Sequence, residues 1–115
     1  MAGADQMRQY TERYDALKAE LQSLGFLFQG SLQTRRIACG KTTCRCYHDP
    51  DARHGPYHYW TRKARGKTVG MRLTEDELVL YQEWIENNRE LERIVREMRG
   101  LSSRVLALIT GREAP

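Results

Sequence analysis

The sequence predicts an α+β protein: an N-terminal helix, a small three-stranded β module, and a long C-terminal helix that packs on the first as a coiled-coil-like pair. Three observations carry this. Both ends of the chain repeat apolar residues at the 3/4 spacing of a helix, and the segment between them carries strand-like, aromatic-rich runs. Every cysteine and histidine of the 115-residue chain also lies in that middle segment, between residues 39 and 58.

The first helix is expected over residues 5–24. Met7, Tyr10, Tyr14, Leu17, Leu21 and Leu24 form an unbroken apolar stripe, narrow enough to seat on one partner helix. Asp5 suits its N-cap, and Gly25 is placed to stop it in a left-handed conformation. Residues 26–38 mix apolar and polar positions and are expected to form a strand leading into Cys39. Tyr57–Arg62 and Lys67–Leu73 then read as two strands joined through Lys63-Ala64-Arg65-Gly66, with glycine near the position that needs positive φ. Thr74-Glu75-Asp76-Glu77 has the form of a capping box. The helix it opens carries Tyr81, Trp84, Ile85, Asn88, Leu91, Ile94, Val95 and Met98 on one broad face. Leu101, Val105 and Leu108 continue that face after Gly100 with a shift of phase, which predicts a bend or break there. Asn88 is polar on an apolar stripe, a placement that often fixes register or oligomeric state, so a homodimer through these helices is one expectation. The divisions that follow are 1–30 for the first helix, 31–73 for the β module, 74–110 for the second helix and 111–115 for a frayed tail.

The formal charge of +4 hides a segregation of signs. Residues 31–73 hold ten Lys and Arg against Asp49 and Asp51, a local +8, whereas the flanks hold nine Lys and Arg against thirteen Asp and Glu. A polyanionic partner for the middle is the natural expectation. No apolar run reaches the length of a membrane-spanning helix, and the first residues lack the basic-then-apolar order of a signal peptide. A cytoplasmic protein without a membrane partner is expected. Three cysteines cannot all pair within one chain, which favours thiolate ligation over disulfides.

Three thiols (Cys39, Cys44, Cys46) and three imidazoles (His48, His54, His58) within 20 positions point to zinc, for which these are the preferred donors. Gly40 lets the backbone turn directly after Cys39. Among the histidines, His54 is the expected fourth ligand because Gly55-Pro56 fixes where its ring points. His48 is cramped so close to Cys46, and His58 lies within the aromatic strand, where it is expected to face solvent or nucleic acid. The competing readings each meet an obstacle. Lys41, Arg45 and Asp49 argue against a buried apolar cysteine loop. No carboxylate–histidine arrangement accompanies the thiols for catalysis. An iron–sulfur cluster calls for four soft ligands. A structural zinc also answers a need, since a small sheet is marginal in water without help.

Lys and Arg interleaved with aromatics suit nucleic acid, cations on phosphates and rings on bases. The expected contacts are Arg35, Arg36, Lys41, Arg45, Arg62, Lys63, Arg65 and Lys67, with Tyr59 or Trp60 stacking. No base-reading helix is evident, so backbone recognition of DNA or RNA is expected rather than sequence reading. The alternative is a protein-interaction adaptor working through its paired helices, with a purely structural zinc knuckle. A thiol-dependent enzyme is a third and weaker alternative, and no enzyme activity is expected.

Gly30-Ser31-Leu32, Cys39-Gly40-Lys41 with Cys44-Arg45-Cys46, His54-Gly55-Pro56-Tyr57 with Tyr59-Trp60, Gly66-Lys67-Thr68 and Trp84-Ile85-Glu86-Asn87 resemble a family of small bacterial and archaeal proteins defined as a domain of unknown function. The likeness spans about residues 30–98. It implies Cys39, Cys44, Cys46 and His54 as signature positions and a frequent link to mobile elements, and it implies no activity.

Overall fold

The computed structural model describes residues 2–113; residues 114 and 115 of the expected frayed tail lie outside it. The elements run α1 (Ala2–Gln22), β1 (Ser31–Ile37), β2 (His54–Ala64), β3 (Lys67–Leu73) and α2 (Glu75–Thr110). Two short 3-10 turns, Arg45–Tyr47 and Pro50–Ala52, lie between β1 and β2. The architecture is α+β, and the chain divides into two compact units.

One unit comprises Met1–Phe26 with Glu86–Pro115 and is a helical pair. Leu17 and Ile94 are fully buried, and Leu101 is nearly so. Tyr10, Tyr14, Leu21, Leu24 and Met98 pack around these three. The helices run antiparallel, because Glu20 meets Arg93 while Arg13 meets Glu97 at 2.8 Å. These ion pairs are exposed and add little to stability; the apolar stripe holds the pair. The end of α1 differs from expectation. Ser23 and Leu24 donate to the carbonyls of Glu20 and Leu21, a tightened last turn. Gly25 does not take a left-handed conformation. A Cβ there would lie 3.0 Å from the Asn87 amide nitrogen, which donates to the Phe26 carbonyl. Gly25 therefore makes room for a tie between the helices instead of stopping one.

Nor does α2 break at Gly100. It runs without interruption for 36 residues. A single exposed glycine costs a helix about 1 kcal/mol, less than the packing on either side of it supplies. Asn88 donates to Glu92 on the same helix at 3.3 Å.

The other unit, Leu27–Ile85, is a three-stranded antiparallel sheet in the order β1-β2-β3 together with the first turns of α2. The strand before the cysteines is shorter than expected, since residues 26–30 are irregular. Gly30 sits there at φ +117°, and a Cβ on it would lie 2.2 Å from the indole nitrogen of Trp60. That nitrogen donates to the Gln29 carbonyl at 2.9 Å. The hairpin turns on Arg65 (φ 51°) and Gly66 (φ 76°), two residues in the left-handed region, as a tight two-residue β-turn of matching twist requires. Phe28, Trp60 and Tyr81 stack with ring centroids 5.2–5.8 Å apart, joining the inner face of the sheet to α2. Leu73 and Ile85 are buried in the same unit. The capping box forms as expected: Thr74 N–H donates to the Glu77 carboxylate at 2.9 Å, and the Glu77 N–H donates to the Thr74 hydroxyl at 3.1 Å.

Candidate functional site

The cysteine-bearing loop leaves β1 at Ile37 and turns at Gly40, whose φ of +82° belongs to glycine. Cys44 N–H donates to the Lys41 carbonyl at 3.1 Å, closing a turn that brings Cys44 back toward Cys39. Cys44 is extended and opens the first 3-10 turn, which directs Cys46 into the protein. Asp49 caps the second 3-10 turn by accepting from Asp51 N–H and pairs with Arg45 at 3.3 Å.

His54 reaches the same point from the sheet. Arg35 pairs with Tyr57 and Ile37 with His54, so β2 spends three steps where β1 spends two. Such a bulge re-aims the side chains beyond it. Gly55 occupies it at φ +122°, with the Arg35 carbonyl 2.9 Å from where a Cβ would stand. The Gly55–Pro56 bond is cis. Proline is tolerated in this central strand because the bulge needs no ladder bond from it.

The four donor atoms of Cys39, Cys44, Cys46 and His54 lie within 4.8 Å of one another. Cys39 and Cys46 sulfurs are 3.5 Å apart, Cys46 and Cys44 3.3 Å, and Cys44 Sγ and His54 Nε2 3.3 Å. A tetrahedral zinc ion with its usual bond lengths sets edges of about 3.8 Å between thiolates and about 3.5 Å between thiolate and imidazole. The three shortest approaches fall slightly under these edges and all four donors lie within 4.8 Å, so the donor set suits a tetrahedral ion of that kind. All three cysteines are free of disulfides.

The electrostatics suit ligation. The Cys46 backbone N–H, then the Cys46 thiol and the His54 ring, draw the Cys44 thiol down to about 6. The Lys41 backbone N–H, and after it the Cys46 thiol, lower Cys39. Cys46 accepts from the Cys39 backbone N–H, which pulls it down, but burial and the two adjacent thiols outweigh that and raise it. The Cys44 thiol, followed by Cys39, raises His54. Thiolate character is what a metal requires of cysteine.

The other two histidines stay outside the cluster. His48 lies against Tyr47 with centroids 4.8 Å apart. His58 does not face solvent as expected: its ring contacts the Thr34 hydroxyl at 2.9 Å and Glu75 at 3.5 Å, with its side chain 18% exposed. The inner face of the sheet needs a polar tie at that edge, and His58 supplies it.

The expected nucleic-acid contacts are distributed unevenly. Trp60 points inward and is engaged by Phe28 and Tyr81, so it offers no ring for stacking; Arg62 lies 5.6 Å from its centroid. Arg45 is exposed and lies 3.3 Å from Asp49 in a surface pair. Arg36, Lys41, Lys63, Arg65 and Lys67 are exposed. Tyr59 lies on the outer face beneath Arg35, at 4.7 Å. Tyr57 and Arg72 join them there, 3.7 Å apart. Alternation along β2 already put Tyr57 and Tyr59 on one face; the pairing register is what adds the two arginines.

Fold and cluster together define a small α+β protein with a Cys3His set shaped for a metal ion. A family model, Domain of unknown function (DUF6788), matches residues 7–86, more than half of the chain. The protein belongs to that family. No curated protein and no solved structure matches this chain.

Proposed function

We propose that this protein is a non-enzymatic nucleic-acid-binding accessory protein, in which zinc held by Cys39, Cys44, Cys46 and His54 staples a basic β module that contacts the phosphate backbone. One observation carries the reading: the three strands hold Arg35, Arg36, Arg62, Lys63, Lys67 and Arg72 and not one carboxylate. Solvation alone gives no reason to strip anions from an entire sheet, whereas a polyanionic ligand does. A structural, not catalytic, part for the metal rests on coordination. Four protein donors fill a tetrahedron and leave no open position for a substrate or an activated water.

The test is a binding titration across a salt series, with elemental analysis of protein purified under reducing conditions. The logarithm of affinity should fall linearly with that of salt, with a slope of about −0.7 to −0.9 per phosphate neutralised. Salt-independent binding, or none at low ionic strength, would refute the nucleic-acid role. Protein free of metal would refute the zinc.

A second reading, an adaptor acting through its helices, is favoured by an apolar groove of about 300 Å³ on the helical pair, lined by Tyr10, Tyr14, Leu101, Val105, Leu106 and Ile109. Leu106 and Ile109 are 59% and 68% exposed there. The occupant that fits is the same helix of a second copy, since Val105–Ile109 is apolar around the whole helix. A monomer at all concentrations in light scattering would dismiss it.

A further inference from the structure

We infer that the outer face of the sheet is a stacking platform for unpaired bases, so that the nucleic acid bound is single-stranded; this rests on the nucleic-acid reading above and specifies its ligand. Pairing sets Arg35 opposite Tyr57, and places Gln33, Tyr59 and Arg72 in one row across the three strands. Directly paired residues share a face. The contacts between them are diagonal. The Arg72 guanidinium carbon lies 3.7 Å from the Tyr57 ring centroid, and that of Arg35 lies 4.7 Å from Tyr59. Two flat rings and two flat cations therefore interlock in one patch.

Three features make this patch more than a solvated surface. Its arginines rest on rings and, among the described residues, join no ion pair. Their charge stays free for phosphate, and their planes stack with bases as readily as with tyrosine. Next, Tyr57 and Tyr59 are two strand positions apart, which spaces their rings by about 7 Å, so each ring with the arginine over it forms a separate stacking position. Finally, the adjoining row is Ser31, Thr61 and Gly70, all small; Ser31 and Gly70 are exposed, and Thr61 between them is 9% exposed, so the sheet is low along this row. Lys63 stands one row further on, placed for another phosphate.

The ligand is single-stranded because only unpaired bases expose a ring face. A duplex presents phosphates and groove edges, and the tyrosines would have nothing to stack on. The inner face cannot serve, since α2 residues and Phe28 already occupy it.

The full chain is titrated at low salt into labelled oligothymidylate, oligouridylate and a mixed-sequence duplex of equal length, with anisotropy as readout. Single strands should bind more tightly, and the two oligomers decide between DNA and RNA. Tyr57→Leu and Tyr59→Leu should each weaken single-strand binding by about 5- to 100-fold. Tyr57→Phe and Tyr59→Phe should retain it, and duplex binding should not respond to either pair. Equal affinity for duplex and single strands, or parental binding by the Leu variants, overturns the platform while leaving the phosphate-binding reading intact. No binding to any of the three overturns both. Should the Leu variants fail to fold, photo-crosslinking of a bromouridine oligomer to the parent decides: adducts at Tyr57 or Tyr59 support the platform, and adducts confined to Trp60 or the hairpin lysines overturn it.

Discussion

Replacing Cys46 with Ser should cost the β module its fold while sparing the helical pair. Cys46 is 3% exposed. Its sulfur lies 3.5 Å from Cys39 Sγ and 3.3 Å from Cys44 Sγ, and it accepts the Cys39 backbone N–H at 3.4 Å. It is the buried member of the cluster, the other three being exposed or half-buried. Structural zinc contributes an apparent binding free energy of about 10–16 kcal/mol in finger peptides, so an even share is about 2.5–4 kcal/mol per ligand. A unit of about 60 residues has a total stability of about 3–9 kcal/mol at the usual margin per residue. One ligand's share is therefore comparable to the whole margin. Metal affinity should drop by about 10²- to 10³-fold. The assay pairs elemental analysis with tryptophan fluorescence, which reports on Trp60 and Trp84 in the module, and with far-UV circular dichroism. The fluorescence should match that of chelator-treated parent, while helical signal persists because Leu17, Ile94 and Leu101 lie in the other unit. His48→Ala should keep its metal. Parental zinc affinity in Cys46→Ser, or metal loss in His48→Ala, would refute the assigned ligand set.

Gly30→Ala should destabilise the protein by more than about 2 kcal/mol, since it combines a left-handed backbone with a Cβ 2.2 Å from the Trp60 indole; thermal melting checks it. Gly100→Ala should do the opposite, because a Cβ there meets nothing within 4 Å. A gain of about 1 kcal/mol, read as a Tm rise of about 4 °C, is expected. Leu17→Ala empties a fully buried site and should cost about 2–5 kcal/mol in chemical denaturation. The Thr74 backbone N–H, then its hydroxyl, hold Glu77 below the usual carboxylate range. Its stabilisation is therefore complete above the unfolded value of about 4.3 and disappears as pH falls through the lower folded value. Glu77→Gln should flatten that acid limb of Tm against pH relative to the parent.

Much of this was legible because it is written in short-range patterns. The stripe from Met7 to Leu24 has only one way to bury itself, along a helix face. Thr74 and Glu77 satisfy each other's backbone within one turn, and Arg65-Gly66 closes the hairpin through local φ angles. The ends of elements were less legible. Gly25 reads as a stop from its place after the stripe, yet its role is set by Asn87, 62 positions away in the chain. Gly100 reads as a break, yet helix packing on both sides carries α2 through it. His58 and Trp60 read as exposed contacts because they lie in a basic strand, and nothing within that strand reveals that Glu75, Phe28 and Tyr81 cover its inner face.

The two helices, the hairpin, the segregation of charge and the three cysteines with a histidine as candidate donors follow from the chain alone, because each depends on periodicity, turn chemistry or residue type. The folded chain adds the bulge at Gly55 that swings His54 onto three thiols from another segment. It alone decided which sheet face stays open, and so paired Tyr57 and Tyr59 with Arg72 and Arg35. Both outcomes depend on strand register and on what covers each face, which are contacts between residues far apart in the chain, and no local pattern encodes them.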